Sequence, residues 1–272
     1  MSGIERIAEA FAAAHANGRG AALMPYMMGG YPDLETSRRI GLAYIDAGAD
    51  LIELGVPYGD PLADGPTIVA AATAAREANP GGFGLAETLD LAEELTADPA
   101  TPPVVLMTYL NPMLRFGLPA LAARAAAAGV AGFIVPDLPV DNPFATAWTA
   151  QARAVGLDTV FLAAPTSTDE RLRAVASGST GFIYCVSSVG VTGERATLPP
   201  DLSDLVGRAR AARGAVATPI VVGFGISTPE QAAQVAAIAD GVVVGSAIVK
   251  RQGDAGVLGE FVAELARAVH GV

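Results

Sequence analysis

The chain has 272 residues and a net charge of −11, with 51% hydrophobic and only 17% charged residues. An acidic surface repels nucleic-acid phosphates and anionic membranes, and no run of Lys or Arg offsets it, so we expect neither as a partner. Glu5, Arg6 and Glu9 stand where a signal peptide would be apolar, and no stretch reaches about 18 uninterrupted apolar residues. These features predict a cytoplasmic protein with one domain over residues 1–272, a length typical of a single barrel.

Three residue types are scarce, and their scarcity restricts the chemistry. Lys250 is the only lysine, Cys185 the only cysteine, and His15 and His270 the only histidines. One cysteine excludes an internal disulfide and a cysteine-rich metal site. A Schiff-base aldolase or a pyridoxal-phosphate enzyme needs a lysine in its pocket, and a zinc aldolase needs several histidines. We therefore expect no cofactor and no metal, with acid–base catalysis by carboxylates and tyrosines.

Short apolar runs alternate with alanine-rich segments along the chain. The runs are apolar at every position, which is typical of parallel strands covered on both faces. They predict strands over residues 21–27, 50–54, 103–108, 132–135, 159–163, 181–186, 219–223 and 240–244. The intervening segments predict crossover helices over 34–47, 86–97, 119–128, 142–155, 168–177, 202–213, 228–238 and 256–269. Eight such units favour a closed (β/α)8 TIM barrel over an open doubly wound sheet, with an extra N-terminal helix over 4–14.

The second predicted strand contains one carboxylate, and the loop after it contains two more. Glu53 lies in the apolar run, and Asp60 and Asp64 follow in a segment rich in glycine and proline. An unpaired buried charge is costly, so Glu53 is either neutralised by an arginine or catalytic, and the second interpretation is favoured. Either aspartate could instead cap the turn that follows it. Glu53 and Asp64 are the predicted catalytic carboxylates.

Other polar side chains also follow strands, at the end of a barrel where active sites lie. Tyr109 follows the third strand, Asp137 follows the fourth, and Tyr184 lies in the sixth. The two tyrosines could equally be core residues whose hydroxyls find a partner. The segment 190–199 is too long and polar for a minimal connection and contains glycines, so it predicts a mobile lid rather than an inert loop.

Two glycine turns predict a phosphate site. Residues 223–227, Gly-Phe-Gly-Ile-Ser, end the seventh strand and lead into a helix with Thr228 as its N-cap and Pro229 in its first turn. Gly245 and Ser246 repeat this arrangement after the eighth strand. Bare backbone amides bind an anion without lysine or arginine, although glycines also serve plain tight turns. The position after strands seven and eight favours phosphate binding.

Six segments together carry a family resemblance that covers nearly the whole chain. They are residues 53–68, 109–112, 136–139, 190–193, 223–227 and 245–248, in this order. The set resembles the alpha subunit family of tryptophan synthase, whose members are (β/α)8 barrels that cleave indole-3-glycerol phosphate to indole and glyceraldehyde 3-phosphate. The resemblance implies the same fold and lyase reaction here. The sequence departs from the family at Gly59, where serine is more frequent, and at Met28 and Gly29, where Thr-Ala is common.

The resemblance also implies roles for individual residues. Glu53 would be the general acid and base, Asp64 would face the indole nitrogen, and Tyr184 would lie beside the reacting centre. Substrate-binding residues would be Gly193, Gly225, Gly245 and Ser246 at the phosphate, Tyr26, Tyr109 and Phe224 in the pocket wall, and Asp137 and Thr192 elsewhere in the site.

A partner is implied by the same family, whose members work with a pyridoxal-phosphate beta subunit in an alpha2beta2 assembly. The stiff loop with Pro57 and Asp60 is the expected docking surface, and Thr192 would close onto Asp64 when the partner binds. Three alternatives stay open: a stand-alone lyase that releases indole, another phosphosugar isomerase, and a catalytically silent regulatory subunit. The presence of both Glu53 and Asp64 argues against the silent subunit.

Overall fold

A computed structural model describes residues 1–16, 20–187, 198–214, 217–223 and 225–271. The strands of these ranges are β1 Ala22–Met28, β2 Ile52–Gly55, β3 Val104–Met107, β4 Gly132–Ile134, β5 Asp158–Val160, β6 Leu162–Ala163, β7 Ile183–Val186, β8 Ile220–Gly223 and β9 Gly241–Val244. The helices are α1 Gly3–Ala16, α2 Leu34–Asp46, α3 Pro66–Ala78, α4 Leu85–Thr96, α5 Leu110–Phe116, α6 Leu118–Ala127, α7 Pro143–Ala154, α8 Asp169–Gly178, α9 Leu202–Ala212, α10 Pro229–Ala236, α11 Ser246–Val249 and α12 Ala255–His270.

The strands form one parallel sheet that closes on itself. Its order is β5-β4-β3-β2-β1-β9-β8-β7-β6, so β5 and β6 stand at the two edges. Only Phe161 separates these two strands along the chain. The first half of this interrupted strand pairs with β4 and the second half with β7, which joins the two edges. The predicted eight-stranded barrel is confirmed, with its fifth strand divided in two.

The predicted N-terminal helix is also confirmed, and it packs on the amino-terminal end of the barrel. Ile7, Phe11 and Ala14 are its buried side chains. The Phe11 ring lies 5.9 Å from the ring of Phe182, which immediately precedes β7. A side chain at Gly241, the first residue of β9, would come within 3.1 Å of Phe11. The helix thus closes the barrel opposite the carboxyl ends of the strands.

Two helices near the predicted site were not anticipated from the sequence. α3 begins at Pro66, in a segment interpreted as loop, and it buries a row of alanines against the barrel. α5 begins at Leu110, directly after β3. Proline in the first turn followed by alanines was the available signal for α3, since proline suits that position and alanine has the highest helix propensity. Asp64 consequently lies two residues before a helix rather than inside a long loop.

No helix within the described ranges is both long and apolar enough to cross a membrane. The cytoplasmic location stays a prediction.

Candidate active site

The carboxyl ends of the strands surround a cleft lined by residues from several strands and loops. Parallel strands end at the same edge of a barrel, so side chains from distant parts of the chain meet there. The cleft contains two carboxylates, two tyrosines, two glycine turns and several aliphatic side chains. Its lining residues are Tyr26, Glu53, Asp64, Ile68, Met107, Tyr184, Gly225, Ile226, Val243, Gly245 and Ser246.

Glu53 projects into the cleft from β2 and is almost completely shielded from solvent. Its register partner on β1 is Tyr26, so the two side chains point to the same side of the sheet. Only 1% of its surface is exposed, and Oε2 has no hydrogen-bond partner in the described part of the chain. Burial, and then the nearby Asp64 carboxylate, raise the pKa of Glu53 to about 8. The side chain is therefore mainly protonated at neutral pH, with no arginine of the described ranges paired to it.

Asp64 lies between β2 and α3 and differs from Glu53 in its surroundings. Burial raises its pKa to about 6, while a hydrogen bond from the Tyr109 hydroxyl acts in the opposite direction. The same hydroxyl accepts a hydrogen bond from the Ala63 amide at 3.2 Å, and the Tyr109 ring packs 5.4 Å from that of Tyr58. Tyr109 is thereby fixed beside Asp64. At neutral pH the cleft combines a mainly protonated glutamate with a mainly ionised aspartate.

Tyr26 and Tyr184 approach the cleft from β1 and β7, and both are buried. Each hydroxyl occupies the space above a glycine that ends the neighbouring strand. A Cβ atom at Gly55 would lie 2.0 Å from the Tyr26 hydroxyl, and one at Gly223 would lie 2.1 Å from the Tyr184 hydroxyl. These two glycines are therefore required by the tyrosines, because no larger residue fits without displacing a ring.

Residues of both predicted glycine turns line the cleft. Gly225 has φ +82°, a conformation that favours glycine, and it lines the cleft with Gly245 and Ser246. The start of α10 is less open to an anion than the sequence suggests. The Ser227 amide donates to Gln231 Oε1 at 2.8 Å, and the Gln231 amide donates to Thr228 Oγ1 at 3.3 Å. Anion binding therefore depends on Gly225 and on the turn at residues 245–246.

Several predicted residues lie elsewhere. Asp137 does not line the cleft: its Oδ1 accepts a hydrogen bond from the Leu110 amide at 2.8 Å and holds the start of α5. Tyr109 also lies behind the cleft rather than in its wall, and it contacts Asp64 there. Asp60 is exposed. Thr192, Gly193, Phe224 and most of the predicted lid, residues 190–197, lie outside the described residues.

The apolar part of the lining was not identified from the sequence. Ile68, Met107, Ile226 and Val243 contribute it. Aliphatic residues have the same sequence pattern whether they fill the core or face a ligand, so no signal separated them. The described residues hold no cluster of three His, Cys, Asp or Glu side chains suited to a metal ion.

Known proteins resemble the chain over almost its whole length. The family model of the tryptophan synthase alpha chain matches residues 11–266. The tryptophan synthase alpha chain of Gloeobacter violaceus is 46% identical, with 97% of this chain and 94% of the relative covered. That of Synechococcus elongatus is 47% identical, with 96% and 94% covered.

Solved structures agree with the sequence relatives. A structure of Mycobacterium tuberculosis tryptophan synthase superposes with a TM-score of 0.88 at 42% identity, covering 97% of this chain and 98% of that one. The alpha subunit from Legionella pneumophila gives a TM-score of 0.86 at 30% identity, with both chains fully covered. The chain belongs to the tryptophan synthase alpha chain family.

Proposed function

We propose that this chain is a carbon–carbon lyase that cleaves indole-3-glycerol phosphate to indole and glyceraldehyde 3-phosphate, the alpha reaction of tryptophan biosynthesis. Family membership supports the reaction. The observation that carries it is the pair of buried carboxylates, Glu53 with a pKa of about 8 and Asp64 with a pKa of about 6, in one cleft with two glycine turns. The pair provides a proton donor and an anion at the same pH.

Glu53 is the proposed acid and base of the cleavage. Its protonated carboxyl delivers a proton to C3 of the indole ring, so that the ring becomes an electron acceptor. The bond between C3 and the glycerol chain then breaks, its electron pair returns to the ring, and the hydroxyl on the departing carbon becomes the aldehyde. The proton of that hydroxyl passes to the Glu53 carboxylate, which restores the starting state. This route requires neither lysine nor metal.

Asp64 is proposed to stabilise the charge that develops during this step. When C3 gains a proton, positive charge builds up on the ring and its nitrogen. An ionised carboxylate in an apolar cleft stabilises that charge more strongly than water would, because the surroundings are already oriented. Ionisation at neutral pH is favoured by the Tyr109 hydroxyl, which donates a hydrogen bond to Asp64.

The phosphate of the substrate is proposed to bind at Gly225, Gly245 and Ser246. Backbone amides of glycine turns and a serine hydroxyl are donors that suit phosphate oxygens. The aliphatic side chains that line the same cleft suit the indole ring. With the phosphate held at one side, C3 would lie over Glu53 as a result of binding alone.

Incubating the purified full chain with indole-3-glycerol phosphate tests the proposed reaction. We expect indole and glyceraldehyde 3-phosphate to appear in equal amounts. Consumption of substrate without indole would instead indicate an isomerase. No turnover by a folded chain, alone or with a beta subunit, would indicate a silent regulatory subunit.

Replacing Tyr109 by phenylalanine should move the acidic limb of the pH–rate profile to higher pH. The hydroxyl lowers the pKa of Asp64, so its removal leaves that pKa above about 6, and Asp64 stays protonated over a wider range. The rise is about one unit or more, since a hydrogen bond to a charged group contributes about 1.5–3 kcal/mol and one pKa unit corresponds to about 1.4 kcal/mol. Activity at pH 6 should therefore fall more than activity at pH 8. An unshifted acidic limb would exclude Asp64 as the group that must ionise.

A beta subunit of tryptophan synthase is the proposed partner. A surface hollow is lined by Pro57, Tyr58, Asp60, Asn111 and neighbouring residues of the loop after β2 and the start of α5. Leu62, in the same loop as Asp64, is 72% exposed. An interface has a core from which water is excluded, and we propose that the partner covers Leu62 together with this hollow. Docking there would cover the mouth of the cleft and retain indole, which is small and apolar enough to diffuse away.

Leu62→Asp should weaken binding of a beta subunit by about tenfold or more, because it places a charge in the proposed interface. Val257→Asp is the matched control, since Val257 is also exposed, at 53%, but lies in α12. Calorimetric titration of a beta subunit measures both affinities. Equal affinities for the two variants would place the interface elsewhere.

A further inference from the structure

A buried glutamine connects the proposed phosphate turn to the strand beside Glu53. Gln252 has no exposed surface. It follows α11 by three residues, and its own amide donates to the Val249 carbonyl at 3.1 Å. The Val249 amide in turn donates to the carbonyl of Gly245 at 3.0 Å, and the Lys250 amide donates to that of Ser246 at 3.1 Å. Gln252 thus belongs to the same hydrogen-bonded turn as the proposed phosphate contacts.

The side chain of Gln252 makes two hydrogen bonds to Met28, the last residue of β1, and a third to Tyr31 in the turn that follows. Its Oε1 accepts from the Met28 amide at 3.0 Å. Its Nε2 donates to the Met28 carbonyl at 2.7 Å and to the Tyr31 carbonyl at 2.9 Å. The backbone atoms fix the orientation of the side-chain amide, because Met28 presents one donor and one acceptor. Both protons of the side-chain amide and its oxygen therefore have a backbone partner.

The side chain of Gln252 takes the place of a neighbouring strand at the end of β1. β1 pairs with β9 only as far as Pro25 and Val244, and β1 continues to Met28. Beyond that point Gln252 gives the β1 backbone the donor and acceptor that a neighbouring strand would give. Buried backbone groups without partners are costly, so the Met28 amide depends on this side chain, whereas the Met28 carbonyl also accepts from the Tyr31 amide at 3.3 Å.

The other edge of β1 pairs with β2, the strand that contains Glu53. The Gly29 amide donates to the Gly55 carbonyl at 2.9 Å, and Tyr26 is the register partner of Glu53. A chain of hydrogen bonds through Val249, Gln252 and Met28 therefore connects the turn at Gly245 with the end of β1, in addition to the direct pairing of β9 with β1. We propose that Gln252 is a positioning residue that fixes β1 between the phosphate turn and Glu53, so that phosphate binding places C3 of the indole against the acid. This inference depends on the proposed function.

Gln252→Leu should lower turnover of the phosphorylated substrate more than turnover of its analogue without phosphate. The variant keeps the size of the side chain and removes all three hydrogen bonds. We expect kcat for indole-3-glycerol phosphate to fall about tenfold with a smaller change in KM, because phosphate still binds but no longer positions the ring. Turnover of indoleglycerol, which lacks the phosphate, should fall much less. Gln252→Glu, which keeps the acceptor for the Met28 amide and loses the donors, should be intermediate and serves if the leucine variant does not fold.

Thr101→Val is the matched control for a general loss of stability. Thr101 is buried, and its hydroxyl donates to the Leu95 carbonyl at 2.6 Å, far from the strand ends that form the cleft. Its replacement also removes a buried hydrogen bond to a backbone carbonyl. We expect any loss of rate in this variant to be equal for the two substrates. If Gln252→Leu lowers the rate equally for both substrates, or lowers neither rate, the positioning role is overturned.

Hydrogen–deuterium exchange gives a second readout that does not require turnover. Glyceraldehyde 3-phosphate should slow exchange in the segment 26–31 of the unmodified chain, and this protection should be absent in Gln252→Leu. If the unmodified chain shows no lyase activity, the proposed function fails while the exchange experiment still tests the connection. Equal protection of segment 26–31 in the unmodified chain and in Gln252→Leu would exclude the connection through Gln252.

Discussion

Replacing Glu53 by glutamine should lower kcat for indole-3-glycerol phosphate by about two orders of magnitude or more. General acid–base catalysis by a positioned side chain contributes about 10²–10⁴-fold, and glutamine can neither give nor take the proton. The substitution keeps the shape of the side chain, so affinity for glyceraldehyde 3-phosphate should change little. Single-turnover kinetics and equilibrium binding measure the two quantities separately. Turnover within a few-fold of the unmodified chain would show that another group carries the proton.

The stability of the same variant provides its control. Burial raises the pKa of Glu53 to about 8 in the folded chain, whereas an unfolded chain has a glutamate pKa near 4.3. Between these two values the folded state holds a proton that the unfolded state has released. The free energy of unfolding therefore decreases as pH rises through this window, and the loss is complete above pH 8. Glutamine does not ionise, so Glu53→Gln should be at least as stable as the unmodified chain at pH 8.

A rise in stability together with a loss of activity would be difficult to explain by damage to the fold. It would instead show that Glu53 is kept in an unfavourable place because of its chemistry. Chemical denaturation at pH 6 and pH 8 tests this directly. A variant that is less stable than the unmodified chain at pH 8 would contradict the buried, protonated state on which the mechanism rests.

The sequence predicted the barrel well because the signals for it are local. Eight apolar runs of strand length separated by helical segments leave few topologies, and the structure has strands within a residue or two of most of them. The fifth run was predicted as one strand over 159–163, whereas the structure interrupts it at Phe161. Both halves still pair, so the error does not change the topology.

Glu53 was identifiable for a similar reason, since a charge inside an apolar strand contradicts its surroundings. The position of a residue at a strand end, however, does not tell which way its side chain points. Tyr109 and Asp137 both follow strands as predicted, yet one fixes Asp64 from behind the cleft and the other caps α5. That difference arises from helix α5, which the sequence analysis did not anticipate.

Gln252 had no local signal at all. Its partners, Met28 and Tyr31, lie 224 and 221 residues away along the chain. A glutamine near the end of a short helix is normally an exposed residue, and only the meeting of β1 with the turn after β9 buries it. Contacts that depend on closure of the barrel can be identified only after the barrel is built.

Gly245→Asp should reduce affinity for glyceraldehyde 3-phosphate by about 100-fold or more. The new carboxylate would stand beside the proposed phosphate contacts, and two like charges about 4 Å apart repel by about 4 kcal/mol at an effective dielectric constant of 20. The fold itself should tolerate the change. Gly245 has φ −111°, and the nearest atom to an added Cβ is the Tyr26 Cβ at 3.9 Å, an ordinary contact distance.

Two further variants are controls for Gly245→Asp. One tests the effect of the added volume, and the other tests the effect of one more negative charge on the protein. Gly245→Ala adds only the methyl group, so its affinity should stay within a few-fold of the unmodified chain unless the ligand approaches the backbone more closely than that group permits. Gly253→Asp adds the same charge at an exposed glycine with no atom within 4 Å of the added Cβ, and it should bind normally. Isothermal titration with glyceraldehyde 3-phosphate compares all three. If a folded Gly245→Asp variant binds glyceraldehyde 3-phosphate as tightly as Gly253→Asp, the phosphate does not lie at this turn. The proposed role of Gln252, which assumes phosphate binding at this turn, would then be excluded as well.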